Sequence, residues 1–368
     1  MSEAVLLHAA PERSADLFHA VPLGIGDPFT YLEADGRRVA VIGVLDRDAV
    51  EGNGIEVIDP SELGRDELSA QGADPLVADA EVALRAAKRL GLERATVPPD
   101  FPVLVADHLR AAGFALDVDA DAFMRRRRVK TDAQLEGILR AQAAADAAMA
   151  VARELLTDLR DGLTSEDVRR AMQAVCAEHG ADLPDDVIVS SGAQAAIGHE
   201  SGSGPIAPGA PVIVDVWPHD KASRCWADMT RSFVAGGGEP PEELARYWSV
   251  ARDSLDRVLG AIRPGVAGRD LFALSCEPFH EVGIATQLSK EPGTTLEDGY
   301  FHSLGHGVGL EIHERPYLGR ASDELVAGDV IAVEPGCYRR GFGGCRLESL
   351  VLVTEDGGRV LTDFPYEL

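Results

Sequence analysis

Positive charge is scarce in this chain. Its 368 residues carry 35 Lys+Arg against 61 Asp+Glu, a formal charge of −26, whereas a protein that grips phosphate backbones needs a net cationic face. Nucleic acid is therefore not an expected partner. Long apolar runs are missing too: none approaches the roughly 20 residues of a membrane span, and the opening MSEAVLLHAA has no basic segment leading into an apolar stretch. A cytoplasmic protein with no membrane partner is expected. Cysteine is sparse, with five residues and no CxxC pair, which excludes a disulfide framework and points to buried, reduced thiols. Hydrophobic residues at 45% and charged residues at 26% are at globular averages, so disorder does not explain the charge. The surplus acid must lie on a folded surface or in a site.

The length suggests two domains, read as residues 1–124 and 125–368. In the first, FTYLEADGRRVAVIGVL sets two apolar runs around Asp35-Gly36, a strong hairpin signal. Asp79 to Leu90 has helical spacing and stops at Gly91. These make a small mixed α/β domain without a phosphate-binding glycine loop. Arg125 to Arg128, followed by Lys130, marks the boundary; in so acidic a chain this run is expected to be a solvated segment paired with the acidic body. Thr131 with Gln134 forms a capping-box pattern that opens a helix to about Leu159. Further helices are expected from Thr164 to near Gly180, from Pro241 to Ile262 and from Arg269 to Val282. Between them lie short β-branched runs at Val187–Val189, Val212–Val214, Val330–Val333 and Leu350–Val353. Paired helices alternating with such strands describe an α+β domain with its sheet covered on one face.

The second domain also gathers the chemistry. Asp215 closes the run PVIVD, and Asp228 follows 228 − 215 = 13 positions later, where a second strand would return. Acids on adjacent strands can face one side and ligate a divalent cation through oxygen; Asp at a strand end is equally at home in a turn. HSLGHGVGLEIHE is more specific. Three of the ten histidines, His302, His306 and His313, fall within these residues among glycines that allow close backbone approach, and imidazole is the common nitrogen ligand of divalent metals. Glu334 follows the strand VIAV, and Glu348 lies in CRLESLVLV. Carboxylates at the inner ends of apolar strands need a positive partner. Four of them with one neutral imidazole balance two divalent cations, −4 against roughly +4.

These segments resemble the Xaa-Pro aminopeptidase and Xaa-Pro dipeptidase (prolidase) branch of the M24 metallopeptidases, which have the pita-bread fold. HSLGHGVGLEIHE matches the branch at its diagnostic positions; VIVDVWP, WADMTRSF, VIAVEPGCY and CRLES look like the remaining ligand motifs in the right order, and VKTDAQLEGILRAQAAADAAM is similar to the helix that opens the catalytic domain. The resemblance implies a pita-bread catalytic domain behind a smaller creatinase-like N-terminal domain, and homodimers. It further implies two divalent ions (Mn, Co or Zn), with Asp215 on one metal, Asp228 and Glu348 bridging, and His306 and Glu334 completing the other. A metal-bridging hydroxide would attack the scissile carbonyl of peptides with proline at the second position. Glu334 would shuttle protons, His199 would contact the substrate, His313 would stabilise the oxyanion and His302 would line the pocket. Arg346 would orient Glu348 or meet a substrate carboxylate. Two departures stand out: the Asp215–Asp228 interval is two residues longer than usual, and Ser349 replaces an Asp or Asn. A related amidohydrolase, creatinase-like or acting on acyl amino acids, and a non-catalytic binding module of the same fold are the other readings.

Overall fold

The computed structural model describes residues 4–320 and 323–368. The chain forms two compact units, Met1–Arg127 and Arg128–Leu368. No helix among the described residues is long and apolar enough to cross a membrane.

The first unit is built on a six-stranded mixed sheet in the order Glu56–Ile58, Arg37–Val41, Phe29–Ala34, Val5–Ala9, Arg94–Val97, Ala115–Val118. Its hairpin turns at Asp35 and Gly36 with φ of 48° and 79°, the left-handed pair that an Asp-Gly turn supplies. The helix expected from Asp79 starts earlier and runs Pro75–Arg89. Asp74 caps it by accepting the Leu76 amide, and Pro75 occupies the first turn. Leu76 and Val77 face solvent there, so apolar periodicity does not announce the first turn. Val82, Ala83, Ala86 and Ala87 pack this helix against Leu6, Leu32 and Val39 of the sheet.

The basic run is paired with acids, as expected, but is only partly solvated, and it forms the end of a helix, Ala120–Arg128. Arg125 remains exposed, but the Arg127 side chain is only 4% exposed and pairs with Asp16. Within the second unit, Arg128 pairs with the buried Asp329 and Lys130 with the buried Glu314. A buried carboxylate requires a cation within reach, and this run supplies three.

The second unit consists of two similar halves. In the first, helices Asp132–Thr157 and Ser165–Glu178 cover a three-stranded antiparallel sheet of Met229–Val234, Pro211–Val216 and Ile188–Ser191. Both helices open on complete capping boxes, Thr131 with Gln134 and Thr164 with Asp167. Along the first helix Ile138, Ala141, Ala145, Ala148, Ala152 and Leu156 are buried at spacings of three and four. That face is mostly alanine, which favours helix and lets the backbone lie close to its neighbours. In the second half, helices Glu242–Ala261 and Gly268–Glu281 pack over a five-stranded sheet ordered Glu314–Leu318, Gly305–Gly307, Val330–Val333, Ser349–Val353, Gly358–Val360. A ribbon of Gly336–Arg339 and Gly343–Arg346 completes it.

Candidate metal centre

Each half delivers acids to the same place. Asp215 is the fifth residue of Pro211–Val216, opposite Thr230 of the neighbouring strand, and Asp228 immediately precedes that strand. From the second half, His306 is central in Gly305–Gly307, Glu334 follows Val330–Val333, and Glu348 lies between Arg346 and Ser349 at the junction of two strands. Gly305 is required here: with φ of +156° it lies so close to Ala332 that any Cβ would collide with that carbonyl. One ligand atom from each of Asp228, His306 and Glu348 fits within 4.8 Å of the others. His306 Nε2 lies 3.7 Å from Asp228 Oδ2 and 3.9 Å from Glu334 Oε1. Its Nδ1 is held 3.1 Å from the Gly307 carbonyl, so the N–H is on that side and the Nε2 lone pair faces the acids.

The electrostatics demand a cation. Burial, then the neighbouring Glu348, Asp215 and Glu334, holds the Asp228 carboxyl well above its ordinary range. Burial and Glu348 do the same to Glu334, and burial with Asp215 pushes Glu348 up to about 8. His306 moves the other way, down to about 3, through burial and the adjacent His313, so it is neutral and able to ligate. Asp215 Oδ1 and Asp228 Oδ1 are buried and accept no hydrogen bond from the described residues. Clustered acids with orphaned oxygens beside a neutral imidazole fit a divalent metal, whose charge reverses the local preference for protonation.

Arg346 is the one buried cation inside this cluster, and its carboxylate partner is Asp215. Arg346 reaches Glu348, which it is expected to orient, through Thr230. Its Nη1 donates to the Tyr338 hydroxyl at 3.0 Å and to the Gly198 carbonyl at 3.3 Å, and its Nε to Thr230 Oγ1 at 3.2 Å. Thr230 Oγ1 in turn donates to Glu348 Oε2 at 2.7 Å. His302, pushed down to about 3 by burial with Arg346 adding to it, lies 2.9 Å from the Tyr338 hydroxyl through Nε2. It buttresses Tyr338 and stands outside the ligand group. Beneath the site, buried Arg231 donates to the carbonyls of Thr230 (3.0 Å), Glu348 (2.6 Å), Phe364 (2.8 Å) and Pro365 (3.0 Å). Ser349, one of the two departures, bonds the Tyr366 hydroxyl at 2.6 Å.

His199 and His313 are exposed at the rim. The His313 ring meets that of His306 edge-on at 4.2 Å, and the Gly198–Arg346 bond places the His199 turn beside the cluster. Thr230, Tyr338 and Arg231 were not among the residues singled out from sequence. Strand register offers a signal for two of them: Thr230 is opposite Asp215, and Tyr338 is diagonal to Arg346 across the ribbon, within reach of long side chains.

Two helix-backed halves enclosing a carboxylate and imidazole cluster define a hydrolase of the metal-dependent pita-bread class. Residues 136–355 match the model of metallopeptidase family M24, and the chain belongs to that family. It is 32% identical over 254 residues to the Xaa-Pro dipeptidase of Pyrococcus furiosus, covering 67% of each chain. It is equally identical over 251 residues to a probable dipeptidase, PepE, of Mycobacterium tuberculosis, covering 67% of this chain but 62% of that one. The fold is similar throughout to the prolidase of P. furiosus (TM-score 0.78, 21% identity, 99% of this chain and 97% of that one). It is likewise similar to the dipeptidase PepE of Mycobacterium ulcerans (TM-score 0.78, 25% identity, 100% and 92%).

Proposed function

We propose that the protein is an exopeptidase that hydrolyses Xaa-Pro bonds with two divalent ions. Asp215, Asp228, His306, Glu334 and Glu348 would hold them. The observation that carries this reading is the convergence, from both halves of an M24 fold, of buried acids with raised proton affinity on a neutral imidazole. When bound, such ions would polarise a carbonyl oxygen and acidify a water. The chain's own groups account for the rest. Glu334, half-buried and 3.9 Å from His306, can hold a proton at Oε1 and pass it to a departing amine. His313 can donate to the carbonyl oxygen as charge develops there. His199 can orient the peptide. Arg346 pairs with Asp215 and donates to Tyr338, so it can fix a ligand in place. Five buried free cysteines accord with a reducing, cytoplasmic setting, and the resemblance supports a homodimer.

Purified protein titrated with Mn, Co or Zn should bind metal and then cleave Xaa-Pro dipeptides or Xaa-Pro-Xaa tripeptides. Metal binding with turnover of acyl amino acids but of no Xaa-Pro peptide would make it an amidohydrolase; a folded protein that binds no metal would be a binding module.

A further inference from the structure

The lengthened hairpin between Asp215 and Asp228 ends in Trp226, and Trp226 reaches across to the other half. Its backbone N–H donates to the Gly309 carbonyl at 2.8 Å and its indole Nε1–H to the Leu310 carbonyl at 3.2 Å. Its ring packs on His219, with centroids 4.7 Å apart. Both acceptors lie in the loop that runs from His306 to His313. The opposite side of that loop rests on Glu314, whose Oε2 accepts the Glu311 amide at 3.4 Å. Gly309 lies so close that any Cβ there would strike the Glu314 carboxylate. Glu314 is itself locked by Lys130, the two side chains being 2% and 3% exposed. The loop is thus held between an indole from the first half and a buried ion pair from beneath, and the side chain it carries forward is His313, against His306.

We propose that Trp226 and the Lys130–Glu314 pair are positioning residues that fix His313 beside the metal centre, so that the extended hairpin is the grip of the first half on the catalytic loop of the second. The proposal rests on the role given to His313 above. Neither Trp226 nor Lys130 need touch substrate: each acts through the loop. Two hydrogen bonds from one tryptophan to successive carbonyls leave the loop little freedom to pivot, and a group that must meet developing charge loses effect when displaced by about 1 Å.

Amide hydrogen exchange on the metal-free full chain reads the grip without reference to catalysis. Trp226→Phe keeps an aromatic ring beside His219 but removes the indole donor. The Gly309 and Glu311 amides, which bond within the loop and to Glu314, should then exchange roughly five- to tenfold faster, with strand Pro211–Val216 unchanged. Lys130→Met should give the same pattern from the other side. With metal saturating, Trp226→Phe should lower kcat by about the same factor while KM and metal affinity move less than about twofold. In a His313→Ala background it should lower kcat no further. Unchanged exchange at Gly309 and Glu311 in both variants overturns the grip. Faster exchange with losses that multiply in the double variant overturns its link to His313. If His313→Ala alone keeps full kcat, the role of His313 in the proposed function is wrong, and the exchange data still decide the grip.

Discussion

The two units place their charges in opposite ways. In the first, ion pairs lie mostly at the surface: Arg37 and Glu56 are each about half exposed, and Arg94–Asp117 is no less so, with Arg127–Asp16 the largely buried exception. In the second unit several pairs are withdrawn from water: Arg346–Asp215 within the candidate metal centre, Lys130–Glu314 against the His306–His313 loop and Arg128–Asp329 near the start of the unit. A net charge of −26 says nothing about this division. Exposed pairs gain little because water and salt screen them, whereas a buried charge that loses its partner is costly. Asp228, Glu334 and Glu348 are kept in an unfavourable setting, which raises their proton affinity.

Removing a ligand should produce the largest effect. Glu348→Ala is expected to lose bound metal and more than about 100-fold in turnover, beyond what loss of a supporting group costs; metal content and Xaa-Pro hydrolysis measure both. Next, Arg346→Met would strand Asp215 without its cation. Urea unfolding should register a loss on the order of 3–5 kcal/mol, and turnover should fall about 10- to 100-fold. A variant as stable as the parent would break the contrast between the units.

The pH dependence follows in size and has a definite sign. Glu348 is raised from 4.5 to about 8 in the folded protein, and Asp228 and Glu334 are raised as well. A raised carboxyl stabilises the fold fully below its unfolded value and ceases to do so as pH climbs through its folded one. The metal-free protein should therefore melt at progressively lower temperature from about pH 4.5 to about 8, and divalent metal should flatten that slope. A melting temperature independent of pH without metal would show that the acids are not crowded. At the small end, Arg37→Ala should cost under about 1 kcal/mol and less in high salt.

Asp228, His306 and Glu348, which gather within 4.8 Å of one another, were legible because the motifs that carry them are local in sequence. The capping box at Thr131, the helix start at Thr164 and the Asp35-Gly36 turn were legible for the same reason. What sequence did not disclose depends on distant partners. A run of arginines reads as surface because most arginines are; nothing near Arg128 or Lys130 announces that Asp329 and Glu314 are buried some 200 residues away. The family resemblance implied that Arg346 orients Glu348 or meets a substrate carboxylate, and did not disclose its ion-pair partner. Its partner, Asp215, is 131 positions distant. Nothing near Trp226 announces its acceptors, Gly309 and Leu310, 83 and 84 positions on.

Arg231 bears on the order in which the molecule assembles. Its guanidinium joins the carbonyl of Glu348 to those of Phe364 and Pro365, 117 to 134 residues away along the chain, and joining such separated segments must await long loop closure. Residues 364–365 are thus tied through Arg231 to the strand that follows Asp228 and to the backbone of Glu348, so that Arg231→Met should loosen all three together, read as faster amide exchange around Thr230 and Glu348.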